Sequence, residues 1–188
     1  MRFPFDTYRL GTRYGHKGRF WKCGWHSGLD LCSANYGGNG VVYPIQHGNV
    51  IKASWSESYG NYLLVKHPDG YVSLYAHLKS VFVQKGDMVS ERTALGIEGM
   101  TGHATGKHLH LEVHKGEYKY PSTIDPYKFL KERMEVSKVL KISLNGVKKQ
   151  VQAIEHAGYN YVRLQDLRDE RIAVEYDAAE KMPVIKVK

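Results

Sequence analysis

Gly106-Lys107-His108-Leu109-His110-Leu111-Glu112-Val113 decides how the rest of the chain is read. At a period of two it is a β-strand with chemically opposite faces. Leu109, Leu111 and Val113 turn one way, toward a core, while His108, His110 and Glu112 share the other surface. Two imidazoles side by side on one strand face are poor core material. They suit a metal ion with a proton-transfer group beside it, and such a site needs partners from elsewhere in the chain.

Immediately upstream, Gly99-Met100-Thr101-Gly102-His103-Ala104-Thr105-Gly106 is a loop whose small residues let a substrate backbone approach closely. His103 and Thr105 are candidate substrate contacts on it, with plain exposure an equal alternative for His103. Farther back, Asn61 to His67 reads as a strand ended by the turn Pro68-Asp69-Gly70, and Tyr71 to Leu78 as its return. In the return strand Val72, Leu74, Ala76 and Leu78 alternate with Tyr71, Ser73, Tyr75 and His77. His77 therefore ends the polar face of a hairpin, where it can face a groove. Tyr75 is a groove-wall candidate, although cross-strand packing is the plainer reading. Nearer the start, Trp25-His26-Ser27-Gly28-Leu29-Asp30-Leu31 puts His26 and Asp30 four apart on one side of a strand or its lead-in. A histidine and a carboxylate converging there are a fragment of a metal site. The remaining histidines, His16, His47, His67, His114 and His156, are expected at the surface, solvated or hydrogen-bonded.

Downstream, Asp125-Pro126-Tyr127 opens a short helix. Past it, Leu140 to Leu144 alternates, Asn145-Gly146 signals a hairpin, and Val147 to Ile154 returns. A short helix over 164–168 and strands near 172–176 and 184–187 complete a second unit. The predicted fold is mainly β: an antiparallel β-sheet domain with a groove over 1–131, a polar linker over 132–138, and a small C-terminal α+β domain over 139–188. That last unit, of about fifty residues, is near the lower limit for independent folding.

Composition sets the outer bounds. In 188 residues, 42% hydrophobic and 24% charged content is ordinary for a globular chain, and 14 Tyr suit β-structure. The net charge of +8 makes an anionic partner plausible. No dense Lys/Arg run or base-reading motif accompanies it, which argues against nucleic acid. Only +2 of that charge falls in 139–188, with nine Lys/Arg against seven Asp/Glu, so the tail is not an electrostatic anchor. No stretch is long enough to span a bilayer, and Met1-Arg2-Phe3-Pro4-Phe5 lacks the apolar run of a secretory signal. The expectation is synthesis in the cytoplasm. Cys23 and Cys32 form no C-x-x-C pair, which argues against a metal role. Free thiols are the default without an export signal, and a strand-to-strand disulfide is the alternative outside a reducing compartment.

With His26-x-x-x-Asp30, Tyr75-Ala76-His77-Leu78 and His108-Leu109-His110 in that order, the chain resembles the M23 family of zinc metallopeptidases. These are lysostaphin-like peptidoglycan endopeptidases. The likeness runs over about residues 10–130 and includes Lys85-Gly86-Asp87-x-Val89 and Thr101-Gly102-x-x-Thr105-Gly106. It implies one Zn²⁺ per chain held by His26, Asp30 and His110, with His77 and His108 as the two catalytic histidines. Three protein ligands leave a tetrahedral position open, as a hydrolytic site requires. Zinc lowers the pKa of a water there toward ~7. One imidazole can then move protons and the other donate to an oxyanion; the sequence leaves open which does which. Glu112 is placed to orient a ligand. Lys107 departs from the family, where Pro or another uncharged residue is usual. The segment with Leu144-Asn145-Gly146 and Val174-Glu175-Tyr176-Asp177 is similar to the stalk module named after the N-terminal domain of copper amine oxidases, without implying copper.

The resemblance implies hydrolysis of peptide bonds in the stems or cross-bridges of bacterial peptidoglycan. The setting expected is a phage or prophage lysin reaching the wall after release, or a subunit of the phage particle, with anionic wall polymers as further partners. The rival is a non-catalytic M23-like module that binds the wall or regulates an enzyme. Such relatives lose metal ligands, whereas here the full set stands.

Overall fold

The structure, a computed structural model, describes residues 1–34 and 40–134 and, beyond them, the backbone of five strands. It divides into two units, Met1–Arg133 and Met134–Lys188. In the first, ten strands precede one helix: β1 (Tyr8–Leu10), β2 (Leu29–Ser33), β3 (Val41–Val42), β4 (Gly48–Ser56), β5 (Gly60–Lys66), β6 (Tyr71–Leu78), β7 (Ser80–Val81), β8 (Met88–Val89), β9 (Gly96–Ile97), β10 (Leu109–Lys115) and α1 (Pro126–Met134). The main sheet has seven strands in the order β1-β2-β10-β6-β5-β4-β8, and β3-β9-β7 form a small second sheet. Every pairing is antiparallel. The mainly antiparallel β architecture read from the sequence is the one observed.

The decisive strand, β10, lies inside the sheet between β2 and β6. Leu109, Leu111 and Val113 are fully buried in the principal core with Leu29, Leu31, Leu63, Val65 and Tyr75. The opposite face is also covered. There Tyr62, Leu64, Val72, Leu74 and Ala76 make a second apolar cluster. In β6 the apolar set Val72, Leu74 and Ala76 thus shares the face of His110 and Glu112, while Tyr75 belongs to the core. A strand buried on both sides loses the simple inside–outside alternation of a half-exposed one.

Asp125 caps α1: its Oδ1 accepts the N–H groups of Tyr127 at 2.9 Å and Lys128 at 3.3 Å. Pro126 follows at the first helical position, where a missing N–H costs nothing. The helix runs into the span expected as linker and ends at Met134. Residues 132–134 complete its last turns because Arg133 lies over the rings of Phe129, at 3.9 Å, and Tyr71, at 5.0 Å. Strand β11 begins at Ser137.

The second unit contributes β11 (Ser137–Leu144), β12 (Val147–His156), β13 (Tyr159–Val162), β14 (Ile172–Asp177) and β15 (Met182–Val187). Leu144 pairs with Val147 across Asn145-Gly146, as the hairpin signal requires. The helix expected over 164–168 lies outside the described residues. Among the described residues no helix is long and apolar enough to cross a membrane.

Candidate functional site

Strand register builds the first half of the site. Between β2 and β10, Leu109 opposes Leu31, His110 opposes Asp30, and Leu111 opposes Leu29. Directly opposed residues share a face, so burying the leucines forces His110 and Asp30 together on the other side. His26 precedes β2 and is fixed through its backbone: its N–H donates to His16 O at 2.8 Å, and its carbonyl accepts Gly15 N–H at 2.9 Å. Between them, Gly28 has no room for a side chain. A Cβ there would lie 2.4 Å from Leu111 O and 2.7 Å from His110 Cε1.

Three ligand atoms meet above this floor. His26 Nε2 is 2.9 Å from His110 Nδ1, and each lies 3.0 Å from Asp30 Oδ1. Among the described residues these three side chains form the one cluster able to share a metal ion. The outer contacts decide what the triangle presents. His26 Nδ1 sits 3.1 Å from Arg13 O, and a carbonyl can only accept, so Nδ1 carries the hydrogen and the Nε2 lone pair faces inward. His110 Nε2 donates to Glu112 Oε1 at 3.2 Å, which turns the Nδ1 lone pair inward as well. Two lone pairs and a carboxylate oxygen on one point repel unless a positive charge sits among them.

The ionisation tendencies agree. Burial alone would favour neutral groups, yet the adjoining His110 and His26 rings hold the Asp30 carboxyl well below the usual carboxylate range. Burial likewise disfavours a charged His110, but Asp30 and Glu112 push it up to about 9. The cluster therefore claims a cation, a proton when nothing else is there and a metal ion in its place. Two imidazole nitrogens and one carboxylate oxygen, with one position left open, are a donor set that fits zinc.

His77 reaches the site against the alternation of its strand. Ala76 opposes His110 across the sheet, so regular pleating would send His77 to the core side with Tyr75. Instead His77 adopts φ 62°, the left-handed region that side chains other than glycine rarely enter. The β5–β6 ladder slips at the same place, between Asn61 and Leu63. The turned imidazole comes to 4.7 Å from the ring of His108 and 5.8 Å from that of His110. Such a conformation costs about 1–3 kcal/mol and persists only where its surroundings enforce it. His77 Nδ1 donates to Thr101 O at 2.8 Å, and His108 Nδ1 to Gly106 O at 2.7 Å. His77 thus turns its Nε2 lone pair the other way, and His108 turns its Nε2 to 3.6 Å from Asp30 Oδ1. Burial first, then the charge on His110, pushes His77 down to about 4, so it is neutral near pH 7.

Behind the triangle lies an acceptor hub. Glu112 is fully buried and receives Ser27 Oγ, Tyr59 Oη at 3.0 Å and His110 Nε2 on Oε1, and His114 Nε2 at 3.0 Å on Oε2. Burial would raise its carboxyl, but the donors, His110 and His114 foremost, hold it well below the ordinary range. His114 is clamped on its other side by Ser122 O at 3.0 Å. Ser27, Tyr59 and His114 were not legible as site residues, although His114 continues the 108, 110, 112 alternation and that continuation was a usable signal.

All five histidine and aspartate positions singled out for metal binding and proton transfer converge here. Three other expectations need correction. Tyr75 is wholly enclosed in the core, its hydroxyl accepting Ile45 N–H at 2.8 Å, so it cannot touch a substrate. His114 and His67 are not surface residues. His114 packs inside the hub, and His67 is buried against Ser73 Oγ at 2.7 Å and His47 O at 2.9 Å. His103 and Thr105 are exposed on the loop before β10. A cavity of about 520 Å³ lined by Tyr14, Gly15, Lys17, Cys23, Gly24 and Trp25 adjoins the segment that carries His26 but includes none of the five. Cys23 and Cys32 are not joined to each other.

The sequence profile described as peptidase family M23 matches residues 24–126, more than half of the chain and the whole span from His26 to the start of α1. An uncharacterised metalloprotease of Buchnera aphidicola is 31% identical over 150 residues, covering 77% of this chain and 38% of that protein. The peptidoglycan DD-endopeptidase ShyC of Vibrio cholerae is 37% identical over 85 residues, covering 45% of this chain and 20% of its own length. Among solved structures, the catalytic domain of lysostaphin from Staphylococcus simulans superposes with a TM-score of 0.60 at 31% identity, covering 66% of this chain and 92% of that domain. The chain spans less than half the length of these two curated relatives. With the profile lying across the positions of His26, Asp30, His77, His108 and His110, the chain belongs to peptidase family M23.

Proposed function

We propose that the chain is a zinc-dependent endopeptidase that hydrolyses peptide bonds in the stems or cross-bridges of bacterial peptidoglycan. The observation that carries this is the triangle of His26 Nε2, His110 Nδ1 and Asp30 Oδ1, whose inward lone pairs require a cation and whose open side adjoins His77 and His108. Peptidoglycan enters through the relatives, which include a peptidoglycan DD-endopeptidase. Zinc held there supplies Lewis acidity and a nucleophile usable at neutral pH. One imidazole of the His77–His108 pair accepts a proton as the nucleophile attacks and returns it to the leaving amine. The other donates a hydrogen bond to the developing oxyanion. Arg13 O and Glu112 hold the two histidine ligands in their tautomers.

Purified sacculi test the reading. Wild-type protein should release fragments bearing new peptide termini, identified by mass spectrometry, and His110→Ala should release none. Intact sacculi with both proteins across several wall chemistries would refute it. The lysin setting adds that the protein meets the wall at cell lysis. It should then stay with the cytoplasmic fraction of intact producing cells, and secretion by such cells would refute that setting. A wall-contacting role for the second unit is part of the same proposal, tested by pelleting residues 134–188 fused to a carrier with sacculi.

A further inference from the structure

Thr101 does three things at once. Its carbonyl accepts His77 Nδ1–H at 2.8 Å, its hydroxyl donates to Leu78 O at 2.9 Å, and the same oxygen accepts Asn61 N–H at 3.0 Å. Asn61 and Leu78 are the paired residues at the end of the β5–β6 ladder, on the far side of the slip that accompanies the left-handed His77. The hydroxyl therefore replaces ladder bonds that the slip breaks, and the carbonyl sets the imidazole that the slip turns inward. The fit is close. A Cβ at Gly60 would lie 2.2 Å from Thr101 Oγ1, and one at Gly102 would lie 2.2 Å from Gly60 N. His77 N–H donates to Tyr59 O at 2.8 Å, and His103 N–H to Ser58 O at 3.0 Å, so the loop after β9 and the turn before β5 clamp each other.

We infer that Thr101 is a positioning residue of the peptidase site: its hydroxyl latches the loop onto the strained strand end so that its carbonyl keeps His77 in the Nδ1–H tautomer, with Nε2 free to accept a proton. The link to turnover rests on the function proposed above, while the tautomer does not. Without the hydroxyl, Leu78 O and Asn61 N lose a shared partner, and the carbonyl is no longer held within hydrogen-bond reach of the ring. Valine has the shape of threonine without its hydrogen bonds, and serine restores them.

Nitrogen-15 NMR of the histidine side chains, on metal-free and zinc-loaded protein, reads the tautomer directly. Wild type and Thr101→Ser should show His77 protonated at Nδ1 alone, and Thr101→Val a mixture with Nε2–H. Kinetics on released wall fragments should show kcat reduced by roughly 10- to 100-fold in Thr101→Val, with KM and zinc content unchanged and serine near wild type. A wild-type His77 carrying its hydrogen on Nε2 overturns the inference whether or not the valine variant folds. A valine variant with a pure Nδ1–H tautomer and full kcat overturns it as well. If no wall substrate is cut, the tautomer spectra still decide the role of Thr101 and the failure belongs to the function.

Discussion

Gly28→Ala is the sharpest probe of how the metal site is built, because it adds one methyl group and removes no ligand. The new Cβ would stand 2.4 Å from Leu111 O, 2.7 Å from His110 Cε1 and 2.8 Å from His110 Nε2. Carbon atoms pack at about 3.5–4.0 Å, so backbone and ring must separate by on the order of 1 Å. Leu111 O belongs to β10, pinned between β2 and β6, and moves only with the sheet. The ring is the softer partner. If it swings, His110 Nε2 leaves Glu112 and Nδ1 leaves the triangle. Loss of the outer partner of a metal-binding histidine weakens the metal by roughly 10- to 100-fold, and overpacking costs about 1–3 kcal/mol. Competition against a chromophoric zinc chelator should show the affinity loss, and thermal melts of the metal-free protein a lower Tm. Zinc affinity within twofold of wild type, with an unchanged melt, would refute the claim that Gly28 makes room for His110.

Glu112→Gln should also weaken zinc by roughly 10- to 100-fold, read by the same competition, because an amide NH₂ replaces the oxygen that now accepts from His114. Asp125→Ala removes the cap of α1 and should cost about 1 kcal/mol in denaturant unfolding without changing zinc affinity; an affinity change would show that the helix supports the site. Burial holds His67 below its ordinary value, so the unfolded chain takes up a proton first as pH falls. The stability from neutral His67 is present above about pH 6.5 and is lost as pH drops below it. His67→Gln should flatten the fall in unfolding free energy between pH 7 and 5, and equal slopes in both proteins would refute the assignment. Dialysis against a strong chelator should lower the Tm of wild type and leave that of His110→Ala where it was.

The sequence made β10 legible because its two periodicities, leucine and histidine, are chemically unlike. It made Asp125-Pro126 legible because a cap is local chemistry. His77 was found for an incomplete reason. Alternation placed it with Ser73 and Tyr75, but those two turn away from the site, and only a left-handed residue at a ladder slip brings His77 back. No local propensity announces such a turn at a histidine. Tyr75 was misplaced by the same arithmetic, since in a strand covered on both sides an aromatic residue can face either cluster. Single histidines such as His67 and His114 carry no local sign of burial, because the carbonyls that hold them, His47 O and Ser122 O, come from other segments. The hub on Glu112 draws Ser27 and Tyr59 from two other segments, and no spacing rule joins them to it.

The central position of β10 carries one more consequence. Its neighbours in the sheet, β2 and β6, come from positions far away in the chain, and each brings one part of the site. A slip of one residue in either pairing would turn histidine for leucine. A cation shared by His26, Asp30 and His110 thus acts as a proofreader of strand pairing: it rewards the one alignment in which distant segments have found their correct partners. Metal added during refolding should enrich correctly paired chains over compact misaligned ones, a yield effect separate from any effect on turnover.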